Sequence, residues 1–336
     1  MRAMVLEEAV GPHGLRLRDV PMPEPGPGEV RVSLRASALN RRDHALAAGR
    51  HPGTLLPCVL GSDGAGIVDA VGKGVDQGQL GRAVMIYPAR AWGPDQRTYG
   101  REFRVLGMPD QGTFAEAICV PAADVADKPA HLSWDQAAAI PLAGLTTWRA
   151  AITHGEVAPG QRVLITGAGA GTASFAIQWC ARKGAEVWVT SGSAEKIERA
   201  RSLGAAGGVN YREEGWSQAV RKLAGGFDLV IDSAGGEGMN LLLDTLRPAG
   251  RYVFFGATLG NPQHGPALNR LFVRHIRIQG TTMGSPEEFA AMMAFVADHR
   301  IVPLVDRVLP LERAADGLRL LQDFGQAGKI VLHNGG

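Results

Sequence analysis

The sequence predicts an α/β fold of two domains, one built on a doubly wound parallel sheet and the other mainly β. The first observation is length, because 336 residues exceed the roughly 150 residues of an average domain and leave ample chain for a buried core. The second is a change of pattern near residue 131, from short strands to repeated units of strand, glycine-rich turn and helix. The two parts of the chain are therefore expected to fold differently.

The first 130 or so residues carry the pattern of short strands. After a turn-rich segment at 21–30, apolar residues alternate with polar ones from Val30 to Ser37, as expected for a strand with one buried face. The shorter apolar runs that follow are 58–60, 66–71 and 83–87. The long irregular stretch at 91–112 predicts a functional or flexible loop.

From about residue 131 the pattern indicates parallel strands, because the apolar runs are continuous and helical segments separate them. The predicted strands are 162–166, 186–190, 227–232, 251–255 and 277–282. An amphipathic helix is predicted at 286–300, and an apolar strand, Lys329–His333, ends the pattern. Helices are expected to cover both faces of such a sheet.

Composition and charge exclude several classes of function. Lysine and arginine number 35 against 33 acidic residues, and a net charge of +2 indicates no nucleic-acid partner. No run of about 18 apolar residues and no secretion signal occurs, so no membrane association is predicted. The cysteines, Cys58, Cys119 and Cys180, form no C-x-x-C pair, which argues against disulfides and fits a cytoplasmic protein.

A glycine-rich turn lies directly between a predicted strand and a predicted helix. Its residues are Gly167, Ala168, Gly169, Ala170, Gly171, Thr172 and Ala173. Glycines let the backbone approach a pyrophosphate, which the N–H groups and dipole of the helix N-terminus then bind. Thr172 or Ala173 stands where a third glycine often completes this motif, although alanine is small enough for the same packing. The turn predicts a dinucleotide cofactor, with an ordinary turn between strand and helix as the alternative.

The end of the second strand of this unit predicts NADPH. Sites selective for NAD usually carry an acidic residue about 20 residues beyond the glycines, to hold the ribose 2′-hydroxyl. Here Ser191 and Ser193 occupy that stretch, Lys196 follows one turn into the next helix, and no carboxylate would repel a 2′-phosphate. The helix dipole accounts for Glu195, and a solvated helix lysine is the alternative for Lys196.

Taken together, these features resemble the medium-chain dehydrogenase/reductase superfamily over nearly the whole chain. The stretches that carry the resemblance, in the family's order, are LGSDGAGIVDAVGKGV (60–75), GTFAEAICVPAADV (112–125), HLSWDQAAAIPLAGLTTWRA (131–150), the glycine turn and GGVNYREE (207–214). The resemblance implies a discontinuous GroES-like domain at 1–130 and 284–336, a Rossmann domain at 131–283, and an active site in the cleft between them. It also implies a homodimer that joins sheet edges through the segment around Val253–Gly280.

The zinc ligands of the family's alcohol dehydrogenases are missing. By the resemblance, Asn40 stands at a cysteine ligand position, and Ser62-Asp63 stands where those enzymes carry His-Glu. No cysteine lies between Cys58 and Cys119, where a structural zinc would need four. No metal is therefore predicted. The pattern instead resembles the zinc-independent quinone oxidoreductase branch, the zeta-crystallin-like enzymes, and within it the zinc-type alcohol dehydrogenase-like subgroup.

In that branch, Asn40 and Asp43 match an Asn-x-x-Asp loop, and Tyr211 matches a tyrosine beside the adenosine 2′-phosphate. Ala45 and His51 stand where the branch carries tyrosines, so the resemblance does not single out a quinone as the natural acceptor. Without a metal to polarise a carbonyl, the resemblance favours an NADPH-dependent reductase of quinones or α,β-unsaturated carbonyls. A metal-dependent alcohol dehydrogenase and a non-catalytic NADPH-bound protein are the alternatives.

The predicted site has a catalytic and a cofactor-binding set. The candidate catalytic residues, for a small-molecule substrate, are Asn40, Arg42, His51 and Thr146. The predicted cofactor-binding residues are Thr147, Gly167, Gly169, Ala170, Gly171, Thr172, Ala173, Ser191, Ser193, Lys196, Tyr211, Phe255 and Gly256. Each catalytic candidate has a structural alternative: a turn cap, a surface charge, a loop histidine and backbone hydrogen bonds within a helix, respectively.

Overall fold

The computed structural model describes residues 1–51 and 53–335. The chain divides into two units, Met1–Ala143 with Ser285–Gly336, and Gly144–Gly284. The sequence placed the boundary at 130/131, whereas residues 131–143 pack in the first unit. There His131 Nε2 donates to the Ile301 carbonyl at 3.1 Å, and the Leu142 N–H donates to the Asp63 carboxylate at 2.7 Å. No helix in the described ranges is long and apolar enough to cross a membrane.

Short strands dominate the N-terminal part of the first unit. The strands are β1 (Arg2–Leu6), β2 (Leu15–Asp19), β3 (Glu29–Ala38), β4 (Cys58–Val59), β5 (Asp63–Val71), β6 (Ala83–Ile86), β7 (Ala89–Arg90), β8 (Arg104–Val105), β9 (Ala117–Pro121) and β10 (Val125–Asp127). The helices are α1 (Arg41–Ala47), α2 (Trp134–Ala138) and α3 (Pro141–Trp148), within which the boundary between the units falls. The alternation predicted for β3 is confirmed as far as Ala36, because Val30, Val32 and Leu34 are fully buried while the residues between them are partly exposed. It is wrong at Ser37, which is also fully buried, because its hydroxyl hydrogen-bonds to Asn334 inside the unit.

The second unit alternates strands and helices. Its strands are β11 (Arg162–Ile165), β12 (Glu186–Ser191), β13 (Ala205–Asn210), β14 (Phe227–Asp232), β15 (Leu246–Phe254) and β16 (Arg277–Gly280). Its helices are the π-helix Arg149–His154, α4 (Gly171–Arg182), α5 (Ala194–Ser202), α6 (Trp216–Ala224), α7 (Gly238–Thr245) and α8 (Leu268–Val273). The strands pair in parallel in the order β13-β12-β11-β14-β15-β16. The predicted doubly wound parallel sheet is confirmed, and the strand order reverses beside β11, where ligands bind in such sheets.

The chain then returns to the first unit. The returning elements are α9 (Pro286–Asp298), β17 (Val305–Pro310), α10 (Ala314–Gln322) and β18 (Lys329–His333). Strand β18 pairs antiparallel with β3, with Val331 opposite Ala38, inside a sheet ordered β10-β6-β5-β3-β18-β17 that β9 also joins through β3. This pairing brings the start of β18 beside the end of β3, where Asn40 follows.

An aromatic cluster packs the long loop between β7 and β9. Tyr99 and Phe103 stack with ring centroids 4.6 Å apart, and Trp92 meets Phe103 edge-on at 5.4 Å. The Trp92 side chain is buried, and its indole N–H donates to the Asp95 carbonyl at 3.1 Å. Aromatic packing therefore holds this long loop in a defined conformation.

Candidate active site

The glycine turn joins β11 to α4 and fits a bound pyrophosphate. Gly167 has φ +72°, a left-handed conformation that favours glycine. A Cβ at Gly169 would lie 2.5 Å from Lys196 Cδ, so the Lys196 side chain lies directly over the turn. Ala170 precedes α4 without a capping side chain, and the N–H groups of Gly171, Thr172 and Ala173 in the first helical turn suit an anion.

The carboxyl end of β12 is surrounded by polar and basic side chains. Ser193 Oγ caps α5 by accepting from the Lys196 N–H at 3.4 Å, and Ser191 Oγ accepts from the Ser193 N–H at 3.2 Å. A Cβ at Gly192 would lie 2.8 Å from Arg212 Nε and 3.2 Å from the Tyr211 hydroxyl. Arg212 was not predicted, although it directly follows Tyr211 in a stretch that carries the family resemblance. The structure adds a guanidinium, a strong phosphate donor, to this set.

Asp232, at the end of β14, hydrogen-bonds to groups at the ends of the neighbouring strands, next to the glycine turn. Its buried carboxylate accepts from Thr166 Oγ1 at 2.6 Å, the Tyr252 hydroxyl at 2.5 Å, and the N–H groups of Ala234 and Gly235 at 2.9 and 3.0 Å. Burial, followed by the Asp232 charge, raises the pKa of Tyr252, which stays protonated and donates. Asp232 was not predicted from the sequence. An aspartate at the end of a strand gives no indication in the sequence of which side chains on the neighbouring strands will hydrogen-bond to it.

The remaining cofactor candidates occupy two places. Phe255 and Gly256 follow β15, where a Cβ at Gly256 would lie 2.9 Å from the Ser233 carbonyl oxygen. Thr147 is fully buried in α3, with its hydroxyl donating to the Gly144 carbonyl at 3.0 Å and accepting from Trp179 Nε1 at 3.1 Å. The Thr147 hydroxyl therefore has a structural role in the second unit, and its contact with cofactor stays a prediction.

In the first unit, Asn40, Asp63 and Lys329 form a buried network. Lys329 Nζ donates to Asp63 Oδ2 at 2.9 Å, to Asn40 Oδ1 at 2.7 Å and to the Leu39 carbonyl at 2.9 Å. Asn40 Nδ2 donates to Asp63 Oδ2 at 2.9 Å, and Asp63 Oδ1 accepts from the Leu142 N–H at 2.7 Å. Asp63 is 0% and Lys329 4% exposed, so this is an ion pair inside the core whose polar groups are hydrogen-bonded.

This network fixes the orientation of the Asn40 amide. The opposite orientation would place the amide NH₂ against the ammonium and the amide oxygen against the carboxylate. The second N–H of Nδ2 has no acceptor among the residues that the structure describes. Asn40 is therefore a preorganised donor with one N–H to offer.

Asp43 supports Asn40 from the first turn of α1. Its Oδ2 accepts from the Asn40 backbone N–H at 2.7 Å, and its Oδ1 has no partner within the described part of the chain. Burial raises the pKa of Asp43 to about 6, against the opposing hydrogen bond from Asn40 and the charges of Arg42 and Lys329. Through the hydrogen bond to the Asn40 N–H, Asp43 can orient the turn that carries Asn40.

The other catalytic candidates occupy different surroundings. Arg42 donates to the carbonyls of Leu106 at 3.3 Å and Met108 at 2.6 Å, so its guanidinium closes a turn of the long loop. Burial lowers the pKa of Arg42. His51 is half-buried in the first unit, and Thr146 is buried in the second. The structure thus gives Arg42 a structural role, and the catalytic roles of these residues stay predictions.

The residues at the zinc positions do not fit a metal. Asn40 and Asp63 are engaged with Lys329, whose positive charge would repel a cation at the same place. Ser62 is buried, and its hydroxyl donates to the Leu106 carbonyl at 2.7 Å. Across residues 1–51 and 53–335, no group of three histidine, cysteine or acidic side chains is arranged to hold a metal ion.

A cavity of about 610 Å³ lies elsewhere in the first unit, between β1 and β9. Its lining is mixed and includes no predicted site residue: beside apolar residues it contains Cys58, Cys119, Arg90, Glu29, Asp110 and Gln111. The cavity is therefore separate from the Asn40 network.

Comparison with known proteins gives matches over nearly the whole chain. Residues 26–130 match the alcohol dehydrogenase GroES-like domain, and residues 171–298 match the zinc-binding dehydrogenase domain. The zinc-type alcohol dehydrogenase-like protein YogA of Leptosphaeria maculans is 34% identical over 95% of this chain and 94% of its own. A quinone oxidoreductase of Pseudomonas aeruginosa is 34% identical over 84% of this chain and 82% of its own. The crystal structure of an NAD-dependent alcohol dehydrogenase superimposes with a TM-score of 0.95 and 39% identity, covering 100% of both chains.

Proposed function

Since the chain belongs to the medium-chain dehydrogenase/reductase superfamily and is an NAD(P)-dependent oxidoreductase, we propose that it transfers hydride from NADPH to a quinone or an α,β-unsaturated carbonyl without zinc. The observation that carries the proposal is the network of Asn40, Asp63 and Lys329, which fills the zinc ligand positions with a buried ion pair. The quinone oxidoreductase relative supports the acceptor class.

The proposed chemistry assigns different tasks to the two units. Bound NADPH supplies the hydride from nicotinamide C4. Addition of hydride to an activated carbon places negative charge on the oxygen of the acceptor, and the remaining N–H of Asn40 is the donor that we assign to this oxygen. A proton from solvent completes the reduction of an enolate or hydroquinone anion.

Stopped-flow measurement of NADPH oxidation against quinones, enones and aldehydes tests this function, with metal analysis of the same preparation. We expect a quinone or enone to oxidise NADPH faster than the buffer background, in protein that holds no stoichiometric zinc. Zinc in equimolar amount, together with loss of activity on chelation, would establish the alcohol dehydrogenase alternative. If none of these acceptors reacts, a non-catalytic NADPH-bound protein becomes the better interpretation.

Cofactor preference is expected to depend on the basic side chains around Gly192 and the glycine turn. Arg212→Ala and Lys196→Ala should each weaken NADPH binding by roughly 10- to 150-fold, because a charge-assisted contact to the 2′-phosphate is lost, and leave NADH binding nearly unchanged. Titration of both cofactors measures this. Arg199→Ala is the matched control, since Arg199 on α5 pairs with Glu195 at 2.8 Å. An equal loss for both cofactors would mean that the side chain only supports the fold of the turn.

We expect a homodimer formed through the edge of the parallel sheet. Strand β16 ends the strand order, and α8 exposes Leu268, Phe272 and Val273 at 73%, 69% and 67%. Light scattering should give the dimer mass at micromolar concentration, and Phe272→Asp should shift it to the monomer. Leu223→Asp, at an exposed position on α6, should leave the dimer intact. A monomeric wild-type protein would contradict the expectation.

A further inference from the structure

Two arginines near α1 lack an acidic partner. Arg41 is half-buried and Arg50 is exposed, and neither has an acidic side chain within 4.0 Å among the described residues. Arg50 hydrogen-bonds at 2.9 Å to His44, which lies three residues after Arg41 and so on the same face of α1, and this places both arginines at that face. Burial and then the charge of Arg50 lower the pKa of Arg41. Two like charges that approach each other without a counterion favour the binding of an anion.

His44 holds one of these arginines in place. An Nη of Arg50 donates to His44 Nδ1 at 2.9 Å, and His44 Nε2 lies 3.3 Å from Gln322 Oε1. Because arginine only donates, Nδ1 is unprotonated and Nε2–H donates to Gln322. Burial is the main cause that lowers the pKa of His44, and the charges of both arginines act in the same direction, against Gln322 and Asp323. The neutral histidine positions Arg50 without offsetting its charge.

Phe324 supports the other arginine from a strained position. Helix α10 ends in a Schellman turn, in which the Phe324 N–H donates to the Leu321 carbonyl and the Gly325 N–H to the Leu320 carbonyl. Phe324 takes the left-handed position with φ +54°, although glycine is the usual residue there and a glycine follows it directly. Its half-exposed ring lies under Arg41, whose Cζ is 3.9 Å from the ring centroid.

We propose that Arg41 and Arg50 form a binding site for an anionic group, a carboxylate or phosphate, carried by the substrate. Guanidinium groups bind both anions through paired N–H donors, and here the end of α10 orients both arginines beforehand. Because Arg41 directly follows Asn40, this site deepens the proposed function and rests on it: the acceptor is an acidic enone or quinone. A purely structural alternative is that the arginines offset the negative end of the α10 dipole.

The experiment compares an acidic enone, 6-oxohept-4-enoate, with its methyl ester, in the full chain with NADPH. Two methylene groups separate the carboxylate from the C=C, so the two acceptors differ mainly in charge and little in electrophilicity. We expect kcat/KM to favour the acid, and Arg41→Ala or Arg50→Ala to reduce kcat/KM for the acid by about tenfold or more. The value for the ester should change far less. Arg101→Ala, at an exposed arginine of the same unit, is the control and should leave the preference for the acid unchanged.

Phe324→Gly separates binding from stability. Glycine relieves the left-handed strain, so thermal stability should be kept or raised while the preference for the acid falls. A structural role alone would leave that preference unchanged. Equilibrium binding of the unreactive 4-oxopentanoate, compared with its methyl ester, tests the site even if no acceptor is reduced, which distinguishes its failure from failure of the proposed function.

Three outcomes would overturn the proposal. The first is a wild-type protein that binds and reduces the acid no better than the ester. The second is a preference for the acid that survives both arginine substitutions. The third is a loss confined to the Kd of NADPH in the Arg41 and Arg50 variants, which would assign the arginines to a phosphate of the cofactor.

Discussion

Lys329→Met is expected to lower the free energy of unfolding by about 3–5 kcal/mol, because it leaves the buried Asp63 carboxylate without its counterion. Methionine keeps most of the volume of the lysine stem, so the loss reports mainly on charge. Urea unfolding of the full chain, followed by a signal from the first unit, measures the effect.

Two further variants separate the ion pair from the packing around it. Adding Asp63→Asn to Lys329→Met removes the unpaired charge, keeps an acceptor for the Leu142 N–H and lets the Asn40 amide turn to accept from the new NH₂ group, so much of the stability should return. Arg313→Met breaks an exposed pair with Asp316 and should cost no more than about 1 kcal/mol. If Lys329→Met lowers the free energy of unfolding as little as Arg313→Met does, the buried ion pair does not contribute substantially to stability.

The sequence predicted the parallel sheet where apolar runs were continuous and missed β13, where they were not. The first residues of β13 are Ala-Ala-Gly-Gly, a composition typical of turns. A Cβ at Gly207 would lie 2.7 Å from the Trp188 ring, and one at Gly208 would lie 2.8 Å from Ile197 and Val189. Close packing of β13 against its neighbours therefore requires these two glycines. The same glycines make the segment look like a turn in the sequence, which is why the strand was not predicted.

Local motifs of the candidate site were predictable, and its long-range partners were not. The glycine turn and the residues after β12 are contiguous in sequence and have chemical signatures of their own. Lys329 lies 289 residues from Asn40, and in the sequence it is only the first residue of an apolar strand. The antiparallel pairing of β18 with β3 brings Lys329 and Asn40 together. No regular spacing of residues in the sequence indicates that these two strands pair.

Asn40→Ala is expected to lower kcat by about 10²–10³-fold, because a preorganised donor to the developing negative charge is lost. The Kd of NADPH should stay close to wild type, since Asn40 lies in the first unit and the glycine turn in the second. Steady-state kinetics with a reactive quinone or enone and cofactor titration provide the two measurements. The comparison variant is His51→Ala, which should also lower turnover without changing NADPH affinity.

The difficulty in this experiment is stability, because alanine also removes a hydrogen-bonding partner from Lys329 and another from Asp63. Ser37→Ala is the matched control: it removes one buried hydrogen bond, from Ser37 Oγ to Asn334 Oδ1 at 2.9 Å, from the same strand that leads to Asn40. If turnover depends on the Asn40 N–H, Asn40→Ala loses kcat at a temperature where both variants remain folded, and Ser37→Ala does not. Equal kcat in the two variants would place Asn40 among the structural residues of the network and leave positioning of the acceptor as the main source of the rate.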